Sequence, residues 1–434
     1  MQSASGACYA PTAVERRCAL CFINFGEILS TFGSVAYRIY GIIGIIDKWK
    51  EKRSVEAEGE NVVERQENGD MRSGRCEGKE IRRFAGRIFG AVSLLGACVL
   101  LASCGAKNRE NTAVEPDFVF TYAENQAEDY PTTQGAYRFA KLVEERTGGK
   151  ILVQVNAGAV LGDEQSVIEQ LQFGGIDFTR ASLSSVGKFI PKVNVLQLPY
   201  LYNSAEHMWK VLESEIGDQF LHSFEGYGLV GLSWYDAGAR NFYTSKKPIR
   251  TPEDMVGMKI RVQESELMSR MVELIGAEPV QMAFASVYSA LETGKINGAE
   301  NNWPSYQSER HYEVAKYMTV DEHARVPEVQ MISESTWKKL SPEYQEIIRE
   351  CAKESALYER KLWEERTKRS REIVEKAGCQ VIELTPEEKS AFQEKMLPLY
   401  NEYCGKYMDL IGKIVDVYLE ESKGFRSEER RVGK

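Results

Sequence analysis

The feature that most limits the fold is the stretch 342–377, "PEYQEIIRECAKESALYERKLWEERTKRSREIVEKA". Ser341 precedes it, Pro342 opens it and Gly378 follows it. A serine side chain accepts a hydrogen bond from the first free amides of a helix. Proline has no amide to leave unpaired there, and glycine takes the left-handed conformation that ends a helix. A helix over these residues spans roughly 54 Å at 1.5 Å per residue. That is longer than one lobe of a globular protein is wide, so the helix is expected to run across two. The chain length of 434 residues agrees with two lobes.

Both ends differ from the body. Lys79, Arg82, Arg83 and Arg87 precede an apolar run over 88–101, and "LASC" closes it at Cys104. The run is too short for a membrane-spanning helix, which needs about 20 residues, and fits the apolar region of a secretory signal. Leu101-Ala102-Ser103-Cys104 resembles a bacterial lipobox, in which the cysteine carries lipid and becomes the mature N-terminus. A plain signal peptide with an incidental cysteine is the alternative. Such a signal is expected to begin at Met71, which makes 1–70 an extension. Its Cys18-Ala-Leu-Cys21 has no second pair and no nearby histidine, so it is weak as a metal or redox motif. The last residues, "RSEERRVGK" (426–434), resemble a translated sequencing-library adapter.

The net charge of the whole chain is -9, while residues 1–103 hold 14 Lys+Arg against 12 Asp+Glu, so the acidic excess lies in the body. An acidic body argues against a nucleic-acid partner. Cys351, Cys379 and Cys404 show no metal spacing. They admit one disulfide or buried free thiols equally.

After a polar tether, apolar alternation and helical periodicity take turns. Strands are expected at 118–124, 150–156 and 176–182, with helices at 132–149 and 162–175 between them. This order predicts a mostly parallel sheet with helices on its faces. A strand at 229–238 ends that unit, and a second begins with strand 258–263, strand 278–282 and strand 296–302, separated by helices. "TPEEKSAF" (385–392) carries a capping box of Thr385 and Glu388. "GYGLVG" (226–231) matches G-x-G-x-x-G but enters a strand from a helix. The dinucleotide fingerprint needs the reverse order, so this is a turn. No Walker A run, G-x-S-x-G or H-E-x-x-H occurs, and His207, His222, His311 and His323 are scattered. No nucleophile–base pair is visible, and a lipoprotein hydrolase is set aside on that ground. No cofactor or metal is expected.

Three polar positions stand where strands of the second unit end or cross. Arg240 is in "GARNFYT" (238–244), Arg261 in "GMKIRVQ" (257–263), and Asn301 in "VQMAFASVYSALETGKINGAENN" (280–302). With "HYEVAKY" (311–317) these resemble, in order and spacing, the extracytoplasmic solute receptors of TRAP transporters, the DctP-type family. The resemblance covers about 116–420. It implies an α/β fold of the two-lobed periplasmic-binding-protein type, closing on a ligand, with a long helix bridging both lobes. It also implies that Arg261 makes a bidentate salt bridge with a substrate carboxylate. Arg240 would assist, and Asn301 would bond the carboxylate or an adjacent hydroxyl. The implied protein is no enzyme. It is a monomeric lipoprotein, anchored to the outer face of the membrane or in the periplasm, that delivers an organic acid to the small and large permease subunits.

The chemistry agrees. A guanidinium presents two parallel donors to the two carboxylate oxygens, and burying it is costly without a partner. Arg180, near the end of a strand of the first unit, offers a second cation for a dicarboxylate. Arg180 beside Glu124, though, suits sugar hydroxyls, which need donors and acceptors together. "WYD-x-G", "AENNWPSY" and "EHARVPE" (322–328) look most like the hexuronate-binding branch. C4-dicarboxylate or sialate binders and a ligand sensor for signalling are the alternatives, and Glu264 stands where the sialate branch has asparagine. His323 either reaches the ligand or is a satisfied hinge histidine. Phe284 and Trp303 are candidates to stack on a sugar face.

The expected division is 1–70 extension, 71–103 signal peptide, 104–116 tether, 117–235 first lobe and 236–323 second lobe. Residues 324–425 hold the crossover, the bridging helix and C-terminal helices that complete both lobes, and 426–434 is the adapter-like tail. Membrane-extracted protein is expected to have the mass of a chain that starts at a lipid-bearing Cys104. A mass that retains residues before Cys104 contradicts this.

Overall fold

The computed structural model describes residues 115–419, so the signal segment, Cys104 and the final residues lie outside it. Two sheets organise the described chain. The first has the order β2 (Ile151–Asn156), β1 (Phe118–Ala123), β3 (Phe178–Ser182), β10 (Glu328–Ser333), β4 (Leu229–Tyr235). The second runs β11 (Gln380–Glu383), β9 (Tyr317–Arg325), β5 (Ala239–Thr244), β8 (Gly298–Asn301), β6 (Lys259–Val262), β7 (Glu278–Gln281). Each sheet is the centre of one α/β lobe.

The sheets are mixed, which corrects the expectation of a mostly parallel arrangement. β1 pairs parallel with β2 and β3, as a β-α-β-α-β order requires, but β10 pairs antiparallel with both β3 and β4. In the second sheet β5 pairs antiparallel with β8 and β9, while β6 pairs parallel with β7 and β8. The cause is topological. The chain leaves the first sheet along β4 and enters the second along β5, then returns from β9 to β10. Two crossings that run side by side in opposite directions must be antiparallel, and each lobe receives one strand from each crossing. The return is bulged at β9, where the register shifts between Arg240 and Phe242 and Glu322 takes a φ of 46°. Asn241 Oδ1 accepts from the Glu322 amide at 3.0 Å, and Asp321 Oδ1 accepts from the Phe242 amide at 3.2 Å, so side chains replace the ladder bonds that the bulge removes.

The long helix spans Pro342–Lys376, with Ser341 Oγ accepting from the Tyr344 amide at 3.3 Å and Gly378 at φ 84° beyond its end. Its buried positions form a seam along the whole length. Ile348, Cys351 and Ala352 join Phe139, Leu142 and Ile332 in the first lobe, whereas Val374 joins Tyr243, Trp303 and Met318 in the second. Between them Trp363 packs with Tyr130 and Ala237 beside the first crossing. The helix therefore belongs to both lobes. "GYGLVG" is a turn, with Gly226 and Gly228 at positive φ before β4 starts at Leu229. Cys351, Cys379 and Cys404 are buried free thiols. No described helix is long and apolar enough to cross a membrane.

The helix Pro131–Arg146 packs closely against the long helix at Gly135. A Cβ there would lie 2.8 Å from Tyr235 Cε2 and 3.0 Å from Glu359 Cβ. Gly135→Ala gains about 1 kcal/mol of helix propensity, but overpacking costs typically 1–3 kcal/mol. Net destabilisation of up to about 2 kcal/mol is expected in urea unfolding. A raised midpoint contradicts the close contact.

Candidate functional site

A cavity of about 530 Å³ opens between the two sheets. Asn125–Ala127, Asp163, Glu164, Ser185 and Glu328 line it from the first lobe. Arg240, Arg261, Met282–Phe284, Asn301 and Glu309 are among those that line it from the second. β5, β8 and β6 are neighbours in the second sheet. Arg240 lies near the start of β5 while Asn301 ends β8 and Arg261 lies near the end of β6, so the antiparallel β5 brings all three to one sheet edge. That edge faces the cavity, at the carboxyl ends of parallel strands where α/β sheets commonly hold ligands.

Arg261 shows why its strand is unusual. Ile260 and Val262 are fully buried on one face, and Arg261, on the other, is 2% exposed. Its Nε and Nη2 donate to the Met282 carbonyl at 3.0 and 2.7 Å. No carboxylate pairs with it among the described residues, and Phe284 lies 6.0 Å away, ring centroid to guanidinium. Burial lowers its pKa from the ordinary arginine value, yet a guanidinium keeps its proton in proteins. A buried cation is thus held by one edge against a carbonyl, on the wall of a cavity.

Arg240 is arranged differently. It donates through Nε and Nη2 to both carboxylate oxygens of Glu300, and through Nη2 to the Glu300 carbonyl at 2.9 Å. Glu300 Oε2 lies 3.4 Å from His323 Nε2, and His323 Nδ1 lies 2.9 Å from Asp321 Oδ2. Burial opposes charge on the imidazole, but Asp321 and Glu300 overcome it and lift His323 to about 9. Burial likewise opposes the Glu300 carboxylate, and Arg240 and His323 hold it down to about 2. Asp321, His323, Glu300 and Arg240 form a buried chain of alternating charge. His323 itself is fully buried, stacked on Phe242 with ring centroids 4.3 Å apart, and does not line the cavity.

Asn301 lines the cavity with Oδ1 engaged by the Asn302 amide at 2.9 Å, which leaves Nδ2 without a bond among the described residues. Arg180 and Glu124 lie behind the opposite wall. Arg180 pairs through Nε and Nη2 with both oxygens of Glu124; Nη2 also donates to Asn125 Oδ1 at 2.6 Å, and Nη1 reaches Glu164 at 3.2 Å and Glu328 at 3.1 Å. The Glu328 contact is close enough for ion pairing but not aligned as a hydrogen bond. Arg180 and Glu124 do not line the cavity; Asn125, Glu164 and Glu328 stand between. Burial raises Glu328 to about 8 against the pull of Arg180. Phe284 is on the wall, whereas Trp303 is packed in the second lobe's core.

Sequence reasoning missed Glu300, Glu328 and Glu309. Glu300 sits inside the quoted "GAENN", but nothing in its spacing shows that it neutralises Arg240. Glu328 and Glu309 become neighbours of the site only through the return crossing and the helix Trp303–Ser308.

The charge chain implies a pH dependence. His323 has a raised folded pKa, so its contribution is complete below about 6.5 and is lost as pH rises through about 9. Glu328, raised to about 8, also favours the folded state less as pH rises. Glu300 acts in the opposite sense, holding its contribution above about 4.5 and losing it as pH falls toward 2. Stability of the ligand-free protein is therefore expected to fall between pH 6.5 and 9, the His323 share being on the order of 3 kcal/mol. His323→Gln is expected to flatten that fall in urea unfolding at pH 6, 7.5 and 9. An equal slope in wild type and variant contradicts the role given to His323.

Residues 122–406 match the family described as bacterial extracellular solute-binding protein, family 7, DctP. A TRAP periplasmic solute-binding protein from Bradyrhizobium sp. BTAi1, solved with galacturonate, is 41% identical with a TM-score of 0.67, covering 68% of this chain and 99% of that one. One from Roseobacter denitrificans, solved with β-D-glucuronate, is 39% identical with a TM-score of 0.66, covering 68% and 98%. A solute-binding protein of Chromohalobacter salexigens is 38% identical over 66% of this chain and 85% of its own. A buried cation without a carboxylate partner in an inter-lobe cavity, crossing strands and a bridging helix fit the framework of a binding protein. The chain belongs to the DctP family of extracytoplasmic solute-binding proteins of TRAP transporters.

Proposed function

We propose that the protein captures a hexuronate such as glucuronate or galacturonate and delivers it to the membrane subunits of a TRAP permease. The observation that carries this reading is Arg261: a buried guanidinium on the cavity wall with no carboxylate partner among the described residues. Desolvating a charge without a counter-charge costs several kcal/mol. A ligand carboxylate supplies that counter-charge and finds the two-donor fork that matches it. Arg240 is already neutralised by Glu300, so its part is to hold the Glu300 backbone and the adjacent Asn301 in place. Asn301 Nδ2 is then a donor for the carboxylate or a neighbouring hydroxyl.

The rest of the wall supports a sugar acid over a C4-dicarboxylate. The lining carries the acids Asp163, Glu164, Glu264 and Glu309, besides Glu328, which burial keeps largely protonated at neutral pH, and Arg261 is its one cation without an ion-pair partner among the described residues. A second ligand carboxylate about 4 Å from one of these acids is repelled by about 4 kcal/mol at an effective dielectric of 20. Hydroxyls, in contrast, can donate to them. The relatives from Bradyrhizobium and Roseobacter, solved with hexuronates, support the same reading. For location, the family is extracytoplasmic. Retention at the membrane by a lipid on Cys104 belongs to this proposal and rests on the lipobox resemblance alone.

Arg261→Ala is expected to weaken hexuronate binding by roughly 10²- to 10³-fold or more, in keeping with about 3–5 kcal/mol for a broken buried pair. Arg261→Lys keeps the charge without the planar fork and is expected to restore only part of it. Ligand-free stability should change little. Loss of the bonds to Met282, about 1 kcal/mol, is offset by removing a desolvated charge. Calorimetric titration with both uronates, beside ligand-free melts, checks this. Unchanged affinity in Arg261→Ala refutes the assignment.

A further inference from the structure

Each acid on the cavity wall has a neighbour or lacks one, and the difference is informative. Asp163 caps the helix Glu164–Phe173 by accepting from the Ser166 amide at 2.9 Å. Glu164 accepts from Arg180 and from Ser185 Oγ at 2.7 Å, and Glu328 is paired with Arg180. The side chains of Glu264 and Glu309 make no hydrogen bond or ion pair among the described residues. Of these two, Glu309 is the one whose carboxyl burial pushes up from the ordinary value.

The local fold holds it there. Glu309 ends the helix Trp303–Ser308, its amide bonded to the Ser305 carbonyl at 3.2 Å. The next residue, Arg310, is in the left-handed region at φ 57°, which turns the chain sharply. Arg310 is the nearest cation in sequence, yet its Nε goes to Glu313 at 2.8 Å. Glu309 therefore stays unpaired on the same wall as Arg261, Asn301 and Ser305. Glu309 is half-buried, unlike the fully buried Arg261, but partial desolvation of a carboxylate without a donor is still unfavourable.

We propose that Glu309 is a specificity-determining residue of the cleft. Its carboxylate accepts hydrogen bonds from hydroxyls of the bound sugar acid and repels a second ligand carboxylate. The cleft then takes a polyhydroxylated monocarboxylate and rejects an equally long dicarboxylate. This rests on the sugar-acid reading above and extends it to a residue that neither the motifs nor the Arg261 geometry assigns.

The test is calorimetric titration of the wild-type protein, Glu309→Gln and Glu309→Ala with galacturonate, with galactarate (a six-carbon dicarboxylate bearing hydroxyls) and with malate. Ligand-free melts show that each variant is folded. Glu309→Gln keeps the shape and one acceptor but removes the charge. It is expected to lose about 10-fold in galacturonate affinity and Glu309→Ala up to about 100-fold, in keeping with a hydrogen bond to a charged acceptor. Both variants should gain affinity for galactarate, so that the galacturonate-to-galactarate ratio falls at least about 30-fold. A ratio within about 2-fold of wild type in both folded variants overturns the proposal while leaving the hexuronate reading intact. Wild-type protein that binds no hexuronate overturns that reading, and this one with it.

Discussion

The structure depends on how two buried arginines are neutralised. Arg240 has its counter-charge within the chain: the Glu300 carboxylate accepts from Nε and Nη2, and His323 and Asp321 extend the alternation of charge. Arg261 has only a carbonyl. The first is neutralised within the chain itself. The second is electrostatically incomplete, and in the proposed function a ligand carboxylate completes it. β5 and β6 flank β8 in the second sheet, so the neutralised pair and Arg261 stand at one sheet edge. Preorganisation of this kind reduces what must be ordered when a ligand binds.

The frame that holds this edge is itself shared between the lobes. β4 and β5 carry the chain across one way and β9 and β10 carry it back, side by side. The long helix Pro342–Lys376 contributes buried side chains to both cores. Two hydroxyl contacts also cross the cleft: Tyr130 to Ser305 at 2.8 Å, and Ser182 to Gln263 at 3.4 Å. A few polar contacts of this size contribute on the order of 1 kcal/mol each. They can break when the lobes part, while the crossings and the helix stay. The cavity walls can thus separate without unfolding either core.

Much of the fold was legible because it rests on local patterns. The β-α-β-α-β opening, the turn at Gly226–Gly228 and the caps at Ser341 and Thr385 follow from periodicity and capping chemistry within short windows, and the structure has each of them. The strand sense was not legible. Antiparallel β10 and β9 arise from the return crossing, a pairing between residues 73 to 104 positions apart. The site divides along the same line. Arg240, Arg261 and Asn301 lie within recognisable motifs and do converge on the cavity. Arg180 and Glu124 also come together, but as a buried pair behind the wall, because Asn125, Glu164 and Glu328 fold in front of them. His323 becomes a link in the charge chain through Asp321, a neighbour set by the β-bulge. Burial and partner choice are tertiary properties, and no spacing rule carries them.

The central claim is that the carboxylate of the ligand completes Arg261. A crystal structure of the protein with galacturonate bound tests this most directly. The account predicts the carboxylate opposite the guanidinium of Arg261, with two nitrogen–oxygen distances near 2.8 Å, Arg240 still on Glu300, and the sugar hydroxyls directed toward the acidic wall. A carboxylate held elsewhere in the cleft, with Arg261 still bonded to the Met282 carbonyl alone, would contradict it.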